Sequence, residues 1–282
     1  MPELPELEVV QQVLQRRVLG ATIVEVTILP PGGAIVVRDL THRGFVATLT
    51  GAKFAAITRR GKFLIFTITP PDPSAKLPLY LVVNPKLTGR LQLAARGEKR
   101  HARTHVVLLL SSGDELRYVD QKRMGQLYLT EGTDALPGFA GMGPEPFDIS
   151  LEEFRARLRP YRGEIKGILT RGEFIAGIGN AYADEILWNA RLHPYRKRTQ
   201  LTPEEIDRLY AAMQSTLRDA TEQVRTEMGE SIHLKPRDFL SVHMKTGEPC
   251  PRCGTPISLV GANQRITNFC RTCQPGGLIK GM

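Results

Sequence analysis

Apolar residues recur at Leu7, Val10, Val13, Leu14 and Val18, the three-and-four spacing of a single helix face, and Gly20 closes the run. The pattern predicts a helix over residues 3–19. After it the period changes. Short apolar or alternating runs at 22–29, 45–50, 63–68, 79–83, 90–93, 105–110, 115–119 and 126–129 read as strands, and Ser111-Ser112-Gly113-Asp114 reads as a turn. A leading helix followed by many short strands predicts an antiparallel β-sandwich over residues 2–130, with the helix on a sheet edge and Pro2 held at the surface.

Residues 131–149 carry Gly132, Pro137, Gly138, Gly141, Gly143, Pro144 and Pro146, the composition of a hinge linker. Helical spacing then returns. Ser150 and Glu153 form a capping-box pattern ahead of a helix through Leu158. A second helix is read over 164–170, and a third opens after Gly177-Ile178-Gly179. There Asn180 is read as the N-cap of a helix start whose outward N–H groups suit a phosphate. Thr202-Pro203-Glu204-Glu205 opens a long helix that places Ile206, Leu209, Met213, Leu217 and Val224 on one face and ends before Gly229. The helical domain is therefore expected over 150–239, and a separate ribbon over 245–277. The fold class is α+β and multidomain.

All four cysteines lie after residue 249. None remains to staple the rest of the chain, which fits a reducing, cytoplasmic compartment. Cys250-Pro251-Arg252-Cys253 and Cys270-Arg271-Thr272-Cys273 are separated by sixteen residues. Paired Cys-x2-Cys at this spacing is the pattern of a tetrahedral zinc site, with a redox pair or free thiols as the other readings. Four thiolates close the coordination sphere, so the expectation is one structural zinc ion and no catalytic cofactor. The formal net charge is +9 and the pI about 9.6, which points to an anionic partner, nucleic acid first. There is no run of 18 apolar residues and no secretory pattern at the start. A monomer is expected, since no heptad pattern appears.

The opening Met1-Pro2-Glu3-Leu4-Pro5-Glu6-Leu7-Glu8 carries the chemistry. Removal of Met1 makes Pro2 a terminal secondary amine. Such an amine titrates near pH 8, so much of it is an unprotonated nucleophile at neutral pH. Its attack on an aldehyde carbon gives an iminium ion, an electron sink that needs no proton to stay charged. Glu3 is placed to move protons beside it. An ordinary helix start also tolerates prolines and acidic residues here. A glycine pair before a helix also occurs in dinucleotide-binding folds, but no parallel βαβ unit surrounds Gly177 and Gly179.

The order of these residues resembles the opening of bacterial formamidopyrimidine-DNA glycosylases, which form one superfamily with endonuclease VIII. Further stretches carry the resemblance along nearly the whole chain. Gly177-Ile178-Gly179-Asn180-Ala181-Tyr182-Ala183-Asp184-Glu185-Ile186-Leu187, followed by His193-Pro194, looks like the superfamily's helix–two-turn–helix signature. The cysteines look like its ribbon. The resemblance implies an enzyme that excises oxidised bases (formamidopyrimidine and 8-oxoguanine-type purines, hydantoins or oxidised pyrimidines) from duplex DNA. It then cleaves the abasic site by β,δ-elimination through a Schiff base on Pro2. Glu3 and Glu6 serve protons and orientation, and Lys62, in Arg59-Arg60-Gly61-Lys62, serves a phosphate beside the lesion.

DNA contacts implied in the same way are Lys166, Asn180, Arg103, Arg123 and the ribbon arginine Arg265. Asn84-Pro85-Lys86-Leu87-Thr88-Gly89 stands where the formamidopyrimidine branch has His-Leu-Gly-Met-Ser-Gly, so Leu87 replaces the methionine that fills the gap left by the extruded base. Asp120-Gln121-Lys122-Arg123-Met124-Gly125 stands where that branch has Asp-Pro-Arg-Arg-Phe-Gly. Lys122 thus replaces the arginine that reads the orphaned base, and Met124 the aromatic wedge. An apolar wedge tolerates such a change of residue. Base reading is less tolerant, since lysine lacks arginine's planar fork. The segment 239–249 is shorter than in members that favour oxidised purines, as in endonuclease VIII, whereas the opening residues follow the other branch. Two alternatives stand beside this reading. A non-catalytic DNA-binding or damage-sensing protein would use the helical domain and ribbon without the amine. A zinc-ribbon RNA-modification or translation factor explains the charge and cysteines but not Pro2, Glu3 and Lys62.

Overall fold

Leu4, Leu7, Val10, Val13, Leu14 and Val18 are all buried along one face of α1 (Leu4–Val18), which rests on β3 (Lys53–Arg60) and β4 (Phe63–Thr69). In the computed structural model, residues 1–71, 78–261 and 266–276 are described. The chain divides into two compact units, Met1–Ala140 with Val224–Pro236, and Gly141–Gln223 with Arg237–Met282.

Two sheets build the first unit. In one, β1 (Ile23–Ile28), β7 (Thr104–Leu110), β8 (Asp114–Asp120) and β6 (Gly89–Ala95) lie side by side in that order, all antiparallel. In the other the order is β2 (Val37–Asp39), β9 (Gln126–Thr130), β5 (Leu79–Asn84), β4 and β3, antiparallel except where β2 joins β9. Strand β3 is an edge, and α1 occupies it. The side-chain amides of Gln11 and Gln15 donate to the carbonyl of Ile57 at 3.0 and 2.9 Å. This blunts an edge that would otherwise present unpaired backbone groups.

The expected strand at 45–50 is instead a short helix, α3 (Phe45–Leu49), following the one-turn α2 (Gly33–Val36). Phe45 and Leu49 are one helical turn apart and both buried, while Val46 is exposed. Burial at i and i+4 outweighs the strand propensity of a five-residue run. Strand β3 itself lay outside the expected elements. Its inward residues Phe54 and Ile57 are three apart, because a register shift between Phe54 and Ala56 interrupts the alternation that marks a strand in sequence.

The second unit packs α4 (Leu151–Leu158), α5 (Ile165–Leu169), α6 (Asn180–Asn189) and most of α7 (Pro203–Met228) around Phe154, Phe174, Tyr182, Ile186, Met213 and Leu217. Both expected capping boxes form. Ser150 Oγ accepts the Glu153 N–H at 3.2 Å, and Thr202 Oγ1 accepts that of Glu205 at 3.3 Å. A hairpin of β10 (Ser258–Val260) and β11 (Thr267–Phe269) carries the cysteines at its base. The helical region expected over 150–239 is divided. Val224–Pro236 belongs to the first unit, where Arg225 donates to Gln12 Oε1 at 3.1 Å and Arg17 pairs with Glu230 at 2.6 Å. The hinge expected over 131–149 is divided too, since the unit boundary falls after Ala140 and Phe139 stacks edge-on against Phe63 at 5.4 Å. Among the described residues, no helix is long and apolar enough to cross a membrane.

Candidate active site and four-cysteine centre

Helix α1 starts at an extended N-cap, Glu3. The backbone N–H of Glu3 donates to Glu6 Oε2 at 2.8 Å, one arm of a capping box. Glu3 and Glu6 are each 2% exposed. Two buried acids favour a cationic neighbour, and the residue next to them is Pro2. With Met1 in place Pro2 is buried, not held at the surface as expected, because the apolar first turn of Leu4 and Leu7 sinks into the sandwich. Pro2 and Glu6 line a narrow pocket with Leu64, Val83, Arg90, Ile232 and Lys235.

The basic turn is tied to the same helix. Arg60 pairs with Phe63 at the end of the β3–β4 ladder, leaving Gly61 and half-buried Lys62 as the turn. Arg59 Nε donates to Glu8 Oε2 at 2.8 Å, and its Nη1 donates to the Gly61 carbonyl at 3.1 Å. The Arg59 side chain is 8% exposed, so this ion pair is a fixed strut between α1 and the turn that carries Lys62. Sequence reasoning assigned no role to Arg59 or Glu8; the one available sign was an acid a turn into the helix and a base beside the lysine.

The two loops assigned to DNA probing share an anchor that the sequence did not single out. Asp120 is fully buried. Its Oδ2 accepts the Gly125 N–H at 2.8 Å and the Tyr118 hydroxyl at 3.3 Å. Its Oδ1 accepts the Lys122 N–H at 3.2 Å and the Thr88 hydroxyl. Thr88 Oγ1 in turn accepts from the Lys122 N–H at 3.0 Å, so loops 84–89 and 120–125 are laced together. Burial, followed by the charge of Asp120, pushes the Tyr118 hydroxyl well above its ordinary value and keeps it a neutral donor. Lys86 and Arg123 adopt left-handed backbone with φ of 49° and 54°, and each directly precedes a residue assigned to insertion, Leu87 and Met124. Leu87 is half-buried, whereas Lys122, Arg123 and Met124 are exposed. Arg103 is exposed and lines a cleft of about 380 Å³ with Thr88, Arg90, His101, Gln121 and His233. Burial, then the charges of His101 and Arg90, hold His233 below its ordinary value.

In the second unit Gly179, not Asn180, is the N-cap of α6; the helix starts one residue earlier than expected, and Asn180 is its first helical residue. Asn180 Nδ2 donates to the Ile266 carbonyl at 2.9 Å. Lys166 is buried. Its ammonium lies 2.6 Å from Asp184 Oδ1 and donates to Thr267 Oγ1 at 2.8 Å and to the Ile266 carbonyl at 3.1 Å. Both side chains thus hold the residue that follows Arg265, which itself lies outside the described residues. Asp184 Oδ2 also meets His243 Nδ1 at 2.8 Å. Its neighbour Glu185 accepts the backbone N–H groups of Ser241, Val242 and His243 at 2.8, 2.9 and 2.8 Å. Burial raises the Glu185 carboxyl and these bonds oppose the rise. Asp184 and Glu185, unassigned from sequence, fix the short segment that leads to the ribbon.

The sulfurs of Cys250, Cys253, Cys270 and Cys273 all lie within 4.8 Å of one another. Two of the pairs are 3.9 Å (Cys250 with Cys273) and 3.4 Å (Cys253 with Cys270). Four sulfurs around a tetrahedral ion with bonds of about 2.3 Å would stand about 3.8 Å apart, so the donor set and its spacing fit. Hydrogen bonds from Thr255 lower the Cys253 thiol to about 6, while burial and then the neighbouring thiols push Cys273 up to about 12. Sulfurs this close resist losing all their protons unless a cation joins them.

A helix start with two buried acidic residues beside Pro2, a sandwich with two laced loops, a helical unit and a four-cysteine ribbon together fit a DNA-lesion-processing class of protein. Residues 1–127 match the formamidopyrimidine-DNA glycosylase N-terminal domain, 142–231 its helix–two-turn–helix domain, and 247–276 the zinc finger found in these proteins and in isoleucyl-tRNA synthetases. The formamidopyrimidine-DNA glycosylase of Symbiobacterium thermophilum is 39% identical over 287 residues, covering 98% of this chain and 90% of its own. That of Pelotomaculum thermopropionicum is 35% identical over 283 residues, covering 97% and 99%. The Lactococcus lactis protein in complex with DNA containing an abasic site has a TM-score of 0.82 at 31% identity, over 97% of this chain and 100% of that one. A MutM structure with DNA containing carbocyclic 8-oxoguanine has a TM-score of 0.81 at 34% identity, over 98% and 100%. The chain belongs to the formamidopyrimidine-DNA glycosylase family.

Proposed function

We propose that this protein excises formamidopyrimidines and other oxidised bases from duplex DNA and then cleaves the resulting abasic site as a lyase. Base-excision repair is the family's chemistry, and lyase action follows from an amine at residue 2. The observation that carries the proposal is the buried pair Glu3 and Glu6 beside Pro2, with Glu6 fixed by the Glu3 N–H at 2.8 Å.

The damaged base is first drawn out of the stack, at a cost of about a few kcal/mol. Leu87 and Met124 supply apolar wedges, Lys122 meets the orphaned base, and Arg123 and Arg103 supply charge toward phosphates. Once Met1 is removed, the Pro2 nitrogen attacks C1′ and the base leaves with a proton. Ring opening gives an iminium between Pro2 and C1′, with Glu3 carrying protons at the sugar. The iminium acidifies the C2′ proton. Its loss expels the 3′ phosphate, and a second elimination expels the 5′ phosphate. Lys62, braced by Arg59 and Glu8, faces a phosphate in this scheme. Lys166 and Asn180 serve by holding the hairpin at Ile266, next to Arg265. The four cysteines hold one zinc ion, which supplies a crosslink at the base of that hairpin.

The test is borohydride reduction on duplex DNA carrying an abasic site, with intact mass confirming that Pro2 is the terminus and peptide mapping locating the adduct. Reduction of the iminium should leave a covalent complex mapped to Pro2. An adduct on a lysine would overturn the assigned nucleophile. Tight binding with no adduct, on a confirmed free Pro2, would overturn the lyase.

A further inference from the structure

We propose that Trp188 is a positioning residue for the metal centre, clipping the first cysteine knuckle to helix α6 and reporting on the ion bound there. The proposal rests on the zinc reading above. Trp188 stands at the end of α6, half-buried, and is the chain's single tryptophan. Contacts converge on it from the knuckle Cys250-Pro251-Arg252-Cys253. Its indole N–H donates to Cys250 Sγ at 3.4 Å. The Arg252 guanidinium carbon lies 4.1 Å from the ring centroid, and Arg252 Nη1 donates to the Trp188 carbonyl at 3.0 Å. The ring also packs on the small cluster of Val242, Cys250, Ile257 and Cys270.

These contacts have different chemical consequences. Stacking of Arg252 holds the ring, and Phe would also accept it. The N–H···S bond is specific to tryptophan. Four thiolates around a divalent cation leave a net negative charge on the sulfurs. An N–H donor to one of them withdraws electron density from that sulfur and holds Cys250 in place, so the knuckle is slower to swing away and let the ion go. Partners outside a coordination sphere typically change metal affinity by about 10- to 100-fold. The same bond makes the indole sensitive to what Cys250 carries, since metal loss replaces a bound thiolate with a free sulfur.

Metal analysis of the purified full chain comes first. One zinc per chain supports the reading beneath the proposal. No zinc and no uptake of added cobalt(II) overturns that reading. In metal-loaded protein, Trp188→Phe keeps the ring and removes the donor, whereas Arg252→Gln removes the cation and keeps the donor. The Phe variant should release zinc to a chromogenic chelator about tenfold faster than wild type. Its cobalt-loaded form should show the sulfur-to-metal charge-transfer band moved to lower energy, a change that packing alone would not produce. Wild-type tryptophan emission should change on chelation and recover on adding zinc. Equal release rates and an unmoved cobalt band in the Phe variant, or emission blind to the metal, would overturn the proposal while leaving the zinc reading intact.

Discussion

Gly89 and Gly125 show how tightly single positions are set where loops 84–89 and 120–125 meet. A Cβ on Gly125 would lie 1.8 Å from the Tyr118 hydroxyl and 3.0 Å from the carbonyls of Asn84 and Pro85. A Cβ on Gly89 would lie 2.1 Å from the same hydroxyl. Gly125→Ala should therefore destabilise the protein by about 1–3 kcal/mol in denaturant unfolding. Adding Tyr118→Phe should recover part of that loss, because the oxygen is the nearest obstacle. A Gly125→Ala protein as stable as wild type would sink this account of the loop junction. The sequence announces both glycines as turn residues. It does not announce that one tyrosine oxygen occupies the space beside each, since the β6–β8 pairing brings Tyr118 to Gly89 and the shared acceptor Asp120 brings it to Gly125.

Among the elements, β8 carries an ion cluster whose acid dependence can be read from its partners. Glu115 accepts from Arg100 at 2.8 Å and from Arg117 at 2.7 Å, and Arg117 is completely buried. The Arg100 hydrogen bond holds the Glu115 carboxyl below its ordinary value of 4.5, against burial and with help from Arg117. A depressed carboxyl contributes stability that is fully present above the unfolded value and is lost as pH falls through the folded one. Wild type should thus lose stability progressively below about pH 4.5. Glu115→Gln should start roughly 3 kcal/mol less stable, since buried Arg117 loses its close counter-charge and keeps Glu98 at 4.0 Å, and its acid limb should be shallower. Parallel limbs in melting experiments across this range would contradict the assignment. Element by element, legibility followed regularity. The helix face of α1 and both capping boxes were plain in the residue order. Strand β3 was not, because the shift between Phe54 and Ala56 puts its buried residues three apart. Helix α3 was misread because five apolar and small residues satisfy either period until tertiary burial chooses.

At the scale of the whole chain, the net charge of +9 pointed to nucleic acid before any motif did. The exposed cations Arg103, Lys122 and Arg123 belong to one unit, so their contribution should be separable by salt dependence. Affinity for duplex DNA should fall linearly with salt on logarithmic axes, and Arg103→Ala or Arg123→Ala should each reduce the slope by about 1. An unchanged slope would mean that the substituted residue does not meet phosphate. Domain boundaries were less legible than charge. The last turn of α7 and the segment after it read as part of a helical domain, yet Val224–Pro236 packs with the sandwich. Helical periodicity records which face is apolar, and it does not record which partner that face will find.

Glu6 accepts the Glu3 N–H whether or not the neighbouring amine ever meets a sugar. The start of α1 and the proposed chemistry thus ask for the same side chain. A lineage that abandoned strand cleavage would still be held to this carboxylate by the start of α1, and an inactive descendant would keep it long after losing its substrate. In sorting active from silent relatives, the presence of Glu6 is therefore a poor witness. A residue ahead of the proline that cannot be removed would be a far better one.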